Sequence, residues 1–187
     1  RHVTEEDIGK GLWRDRDYPS VDGMVTDVLH LPLVVFSADC NVILLHDPVR
    51  RAIGAAHAGW RGTAAGIAGK TARVMQEVYG CRGEDIRAAV GPAIGQCCFE
   101  TDGDVPAALR DALGGAVEPF VSWNGQKYHI DLKSVNALWL QNAGVEAIDI
   151  CPDCTYCLPD LYWSHRRTGL RRGEQAAVIC LKGEGTR

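Results

Sequence analysis

The 187-residue chain is short of several things that would assign it quickly. No apolar run approaches the ~18 residues that a membrane-spanning helix needs. No charge of one sign dominates: 20 Lys and Arg face 24 Asp and Glu, for a net charge of −4. A protein whose main partner is nucleic acid usually carries a basic face, so that class is disfavoured. No secretory leader is visible, no internal repeat is present, and no tract is of low complexity. Histidine is scarce, with six residues and no His-x-His pair, so an array of several imidazole-bound metals has few ligands to draw on. Cysteine is not scarce: eight residues stand at Cys40, Cys81, Cys97, Cys98, Cys151, Cys154, Cys157 and Cys180. A domain of this size buries roughly 70% of its unfolded surface and needs no disulfide staples. Reduced thiols and a cytoplasmic location are therefore expected.

Strand-like and helix-like stretches alternate. Residues 21–29, 31–36, 86–90, 128–132, 145–150 and 175–181 read as strands, and 63–79, 103–113 and 134–142 as helices. Thr63 is the expected N-cap of the first helix and Gly80 its C-terminal stop. Residues 1–20 and 162–172 read as polar loops. The expected class is α/β or α+β, with mixed sheets flanked by helices in one domain over 1–187.

One segment carries most of the chemical signal. SADC at 37–40 and AHAGWRG at 56–62 flank an apparent β-hairpin. A four-residue turn at 47–50, marked by Asp-Pro, would set residue 46 opposite 51 and Cys40 opposite His57. Directly opposed Cβ atoms lie roughly 4.5–5.5 Å apart, so a thiol and an imidazole would meet. That pair suits a shared metal. It suits equally a Cys–His nucleophile with Cys40 attacking and His57 as base. Arg61, just ahead of the expected helix start, points to an anion such as phosphate at that helix end.

Three further blocks stand out. GPAIGQCCFE at 91–100 reads as a rigid turn, its vicinal cysteines ill suited to chelating one ion together. CPDCTYC at 151–157 holds two overlapping Cys-x-x-Cys spacings but lacks a second such pair at ribbon spacing, which weakens a structural zinc reading. YWSHRRTG at 162–169 offers Arg166 as a bidentate anion donor. His129, alternating along a strand, reads as a packing residue.

Taken together, ADC at 38–40, AHAGWRG at 56–62, GPAIGQCCFE at 91–100, CT at 154–155 and SHRR at 164–167 resemble the YfiH/laccase-domain family. The resemblance spans essentially the whole chain and implies a compact α/β sandwich. It implies that Cys40 and His57 are the catalytic pair, binding one zinc. The family's third ligand is a histidine in an upstream Gln-x-His segment. His2 is the candidate within this chain, but VTEEDIGKGLWRDRDY at 3–18 resembles the stretch after that segment, which places the ligand before Arg1. Two activities are attached to the family. One is copper-dependent oxidation of phenols, as a polyphenol oxidase. The other is zinc-dependent phosphorolysis of purine nucleosides (adenosine, inosine, methylthioadenosine) together with adenosine deamination. The scattered histidines favour the second, whose substrate and phosphate contacts are expected at Asp39, Arg61 and Arg166. A metal-free Cys–His hydrolase and a non-catalytic partner module are the remaining alternatives.

Overall fold

A computed structural model of the chain describes residues 1–11 and 13–183; Leu12 and residues 184–187 lie outside the described residues. Its centre is a hairpin of two seven-residue strands, β3 (Asn41–Asp47) and β4 (Ala52–Ala58). Around it β1 (Gly23–Thr26) and β5 (Arg87–Val90) add antiparallel edges, and β9 (Ala147–Ile150) adds parallel to β5, in the order β1-β4-β3-β5-β9. Side chains alternate across this sheet, as a strand's two-residue period requires. Ile43, Leu45 and Ala56 face the helices, whereas Val42, Ile53 and Ala55 face a second layer.

That second layer is a two-stranded antiparallel ribbon of β2 (Leu33–Ser37) and β10 (Gln175–Ile179). On the helix side lie the short α1 (Trp60–Ala64), the longer α2 (Ile67–Tyr79) and α4 (Leu132–Gln141). Ala68, Ala72 and Met75 of α2 are fully buried against the sheet. A third module combines α3 (Asp104–Leu113) with β6 (Glu100–Thr101), β7 (Val121–Trp123) and β8 (Tyr128–Ile130) around its own apolar cluster, including Leu109, Val117, Ile130 and Val135. The expected class of mixed sheets flanked by helices is the one observed. No described helix is long and apolar enough to cross a membrane.

Three local expectations need correction. The hairpin turn occupies 48–51 rather than 47–50, because Asp47 pairs with Ala52 as the last rung. Its Oδ1 accepts the N–H groups of Val49 and Arg50 at 2.8 and 2.9 Å, so this side chain organises the turn from inside the strand. The register thus shifts by two: His57 sits opposite Val42, and Cys40 is not its direct partner. Secondly, the helix expected over 63–79 is broken. Gly66 adopts a left-handed φ of 73°, α1 ends before it and α2 begins after it. Thr63 is therefore inside α1, fully buried, with its hydroxyl accepting from Asn136 Nδ2 at 3.0 Å. Thirdly, the loop expected over 162–172 contains a short helix, α5 (His165–Thr168), capped by the Ser164 hydroxyl and followed by a 3-10 turn at Gly169–Arg171.

Helix α2 crosses α4 at Gly69. A Cβ there would lie 2.7 Å from the Trp139 carbonyl oxygen, a backbone atom that cannot step aside. Alanine's helix preference favours Gly69→Ala by about 1 kcal/mol. Forcing the helices apart costs about 1–3 kcal/mol. The variant is expected to unfold at lower urea concentration than the parent; an unchanged or higher midpoint would show that the crossing is not tight.

Candidate active site

The hairpin and the loops beyond β5 and β9 enclose a cavity of about 360 Å³, within the usual range for small-molecule sites. Cys40, His57 and Gly59 line one side, and His165, Arg166 and Arg172 line another. Trp60, Ile94, Phe99 and Leu132 supply apolar surface. A two-residue register shift keeps a side chain on its face of the sheet. Cys40 and His57 therefore still share a face, as diagonal rather than direct neighbours. Both converge on Gly59, where a Cβ would stand 3.2 Å from Cys40 Sγ and 3.8 Å from His57 Cε1.

His57 is held by Asp22 twice. Its backbone N–H donates to the Asp22 carbonyl at 2.8 Å, and its Nδ1 lies 3.2 Å from Asp22 Oδ1. A carboxylate only accepts, so this contact assigns the proton to Nδ1 and leaves the Nε2 lone pair free. His165 has the opposite arrangement. Its Nδ1 lies 3.2 Å from Arg172 Nε, which can only donate, so Nε2 of the neutral ring carries the proton. One imidazole of the pocket is thus prepared as a ligand or base and the other as a hydrogen-bond donor. Burial, and next the neighbouring Asp39 carboxylate, push the Cys40 thiol above its ordinary pKa, with Arg172 opposing. A free nucleophilic cysteine requires the reverse.

Asp39, 8% exposed, anchors the pocket wall. Its Oδ1 accepts from the Thr155 hydroxyl at 2.6 Å, and its Oδ2 from the Ser164 hydroxyl at 3.0 Å and the Arg166 N–H at 2.6 Å. The residue holds a φ of 84°, a conformation Asp and Asn tolerate better than other side-chain-bearing residues. Its oxygens are committed to the protein. Arg166 lines the cavity, with its guanidinium donating to the carbonyls of Glu100 and Cys98 at 2.9 and 3.4 Å. Arg61 is exposed within α1, its guanidinium 4.2 Å from the Trp60 ring centroid, and is not among the cavity-lining residues. The helix start expected just beyond it is instead at Trp60, in a helix of only five residues. His2 bridges to Val25 and stacks edge-on to Tyr79, likewise outside the cavity lining.

The sequence reading missed one grouping. Cys97, Cys98, Cys154 and Cys157 place their four sulfurs within 4.8 Å of one another, a set that could hold a metal ion. The cause is the parallel pairing of β5 and β9, which matches Val90 with Ile150 and sends both following loops out of the same sheet end. The loops stay aligned through the Ala93–Cys154 bridge. Cys97 and Cys98 sit in a turn, where neighbouring side chains need not point apart as they do in a strand. The vicinal cysteines, read as ill suited to chelating one ion together, thus have their sulfurs on the same side, beside those of Cys154 and Cys157. Burial opposes ionisation of Cys154, but N–H donors from Gly95, Cys157 and Tyr156 help bring its thiol down to about 7. A usable signal existed: each cysteine loop follows a short strand at a similar offset.

The family model for multi-copper polyphenol oxidoreductase laccase matches residues 2–182. The chain belongs to this family. Purine nucleoside phosphorylase YlmD of Geobacillus stearothermophilus is a relative at 38% identity, with 98% of this chain and 69% of the relative aligned. Human purine nucleoside phosphorylase LACC1 is 36% identical over 87% of this chain, which spans 39% of that protein. Among solved structures, Bacillus licheniformis YfiH superposes with a TM-score of 0.93 at 36% identity, covering 97% of this chain and 70% of that one.

Asp39→Asn preserves size and backbone tolerance but turns one acceptor into a donor facing donors. An expected loss of about 1–3 kcal/mol in unfolding free energy should appear as a lower urea midpoint. No shift in that midpoint would show that the Thr155, Ser164 and Arg166 contacts are dispensable.

Proposed function

We propose that the chain carries a zinc-dependent purine nucleoside phosphorylase site, with Cys40 and His57 as metal ligands. The observation that carries this reading is the convergence of Cys40 Sγ and the His57 ring, through its Cε1, on the opening left by Gly59, with Nδ1 of that ring engaged by Asp22. The donor set, a thiol and an imidazole oriented by a carboxylate, is the chemistry of a zinc site. The family names support the substrate class: relatives from Geobacillus, Bacillus and human all bear the name purine nucleoside phosphorylase. The family resemblance implies a third ligand, a histidine of a Gln-x-His segment; His2 does not take that place, since it stands against Val25 and Tyr79.

Zinc so held supplies Lewis-acid polarisation of an oxygen in the pocket. The chain's own residues do the rest. Trp60 and Phe99 offer apolar surface for a purine. Arg166, Arg172 and the Nε2–H of His165 form the cationic, donor-rich wall that suits phosphate. Arg61 would act from outside the cavity, at its approach. Asp39 serves as a positioning residue, holding Arg166 through its backbone N–H rather than touching substrate. A phosphate oxygen forms a bond to the ribose C1′ as the C1′–N9 bond breaks, and the departing purine takes the electron pair and a proton. Adenosine deamination would instead bring C6 of the purine to the reacting position, where water adds and the C6–N bond breaks to release ammonia, with C1′–N9 left intact. The free thiols suit the cytoplasm.

The phenol-oxidation alternative is less well supported. Among the described residues, the one group of three or more metal-ligand side chains contains no histidine, whereas a multicopper centre draws heavily on imidazole.

Zinc-loaded protein incubated with inosine and phosphate is expected to release hypoxanthine and ribose 1-phosphate, with Cys40→Ala and His57→Ala inactive. Phenol oxidation in proportion to bound copper, without ribose 1-phosphate, would overturn the assignment; full activity without metal would return Cys40 to the role of nucleophile. Asp22→Asn weakens the orienting contact on His57 and should lower zinc affinity or activity by about 10–100-fold, measured by competition with a chromogenic chelator.

A further inference from the structure

The four sulfurs beside the pocket are a second, separate feature. Cys98 and Cys157 lie 3.4 Å apart and Cys97 and Cys157 3.8 Å apart, with all four inside 4.8 Å. A tetrahedron of thiolates around one zinc, with Zn–S bonds of about 2.3 Å, has S–S edges of about 3.8 Å. The observed spacing is that of a single-ion site. A polynuclear iron–sulfur cluster inserts several atoms between its cysteines and pushes them farther apart.

The surroundings are shaped for this group. Gly95 gives the sulfurs room: a Cβ there would stand 3.2 Å from Cys154 Cβ and 3.3 Å from Cys97 Sγ. The Gly95 N–H donates to Cys154 Sγ at 3.2 Å, the backbone contact that a thiolate accepts well. The loop after β5 contributes the vicinal pair Cys97 and Cys98, and the loop after β9 contributes Cys154 and Cys157 of Cys-x-x-Cys. Four thiolates around a divalent ion leave a net charge of −2. Arg166 and Arg167 donate to carbonyls of these same loops, at Cys98, Glu100, Thr155 and Tyr156, and place positive charge nearby.

We propose that Cys97, Cys98, Cys154 and Cys157 bind one zinc ion as a structural tetrathiolate site that staples two walls of the pocket together. Thr155, between two of the ligands, donates to Asp39 Oδ1. Phe99, next to Cys98, lines the cavity. Fixing the sulfurs therefore fixes the Asp39 anchor and the apolar wall at once. Binding releases the thiol protons to solvent and involves no change of oxidation state. The proposal is independent of any metal at Cys40 and His57.

The test removes the other candidate ligands. Cys40→Ala/His57→Ala protein, purified under reducing conditions, is expected to retain one equivalent of zinc by elemental analysis. X-ray absorption should show four sulfur neighbours at about 2.3 Å. Cobalt substituted for zinc should give the intense thiolate charge-transfer absorption of a tetrathiolate. Adding Cys97→Ser, at an exposed ligand, should abolish that equivalent while the far-ultraviolet circular dichroism persists. Removing the ion from the double variant should raise amide hydrogen exchange across 93–101 and 151–158. No metal in the double variant, a nitrogen- or oxygen-containing shell, iron in place of zinc, or a Cys98–Cys157 disulfide in freshly isolated protein would each overturn the proposal. Loss of phosphorolysis with this zinc intact would count only against the reading of the Cys40–His57 pocket.

Discussion

The buried carboxylate of Asp39 ties together parts of the chain that would otherwise have no reason to meet. It sits just before β3, at the mouth of the central hairpin, and collects donors from residues 155, 164 and 166. Hydrogen bonds to a charged group contribute roughly 1.5–3 kcal/mol each, more than a surface ion pair offers. The local backbone is bent to make this possible: Asp39 adopts a left-handed φ, an arrangement that persists only where surroundings over-determine it. The C-terminal loops are thereby fastened to the same strand end that carries Cys40, and the cavity has two walls instead of one.

That arrangement also explains the placement of the chemistry. β3 and β4 are largely buried, with His57 inside β4 and Cys40 immediately before β3, so the pair stands at the open end of a well-packed hairpin. The opposing wall is made of loops and depends on tethers: Asp39, the Arg167 contacts to carbonyls at 155, 156 and 162, and the four-sulfur group. A site with one stiff wall and one tethered wall can be ordered by what binds the tether. The four-cysteine cluster is best understood in that light.

Much of the fold was legible in the amino-acid order. The strands around 86–90 and 145–150, the C-terminal stop of α2 at Gly80 and the central hairpin follow from periodicity and turn chemistry. The hairpin register was read two residues off, because Asp-Pro marks a turn without saying whether Asp lies inside it. The error left Cys40 and His57 on one face, since a two-residue slip preserves the pleat. The break at Gly66 was not legible, because a single glycine in a helical pattern is commonly tolerated. There the neighbouring Trp139 ring decides: it lies 3.3 Å from where a Cβ would be.

By itself the sequence determined the residue types, the blocks that mark the family and the face on which the Cys–His pair stands. These are local properties, fixed by side-chain chemistry and a period of two. Only the tertiary structure brought Asp22 to His57 Nδ1 and gathered the donors of residues 155, 164 and 166 on Asp39. It alone brought Cys97 and Cys98 to Cys154 and Cys157. Those outcomes depend on the parallel register of β5 with β9 and on partners from 35 to 127 residues away in the chain, separations that the local periods of strand and helix do not reach.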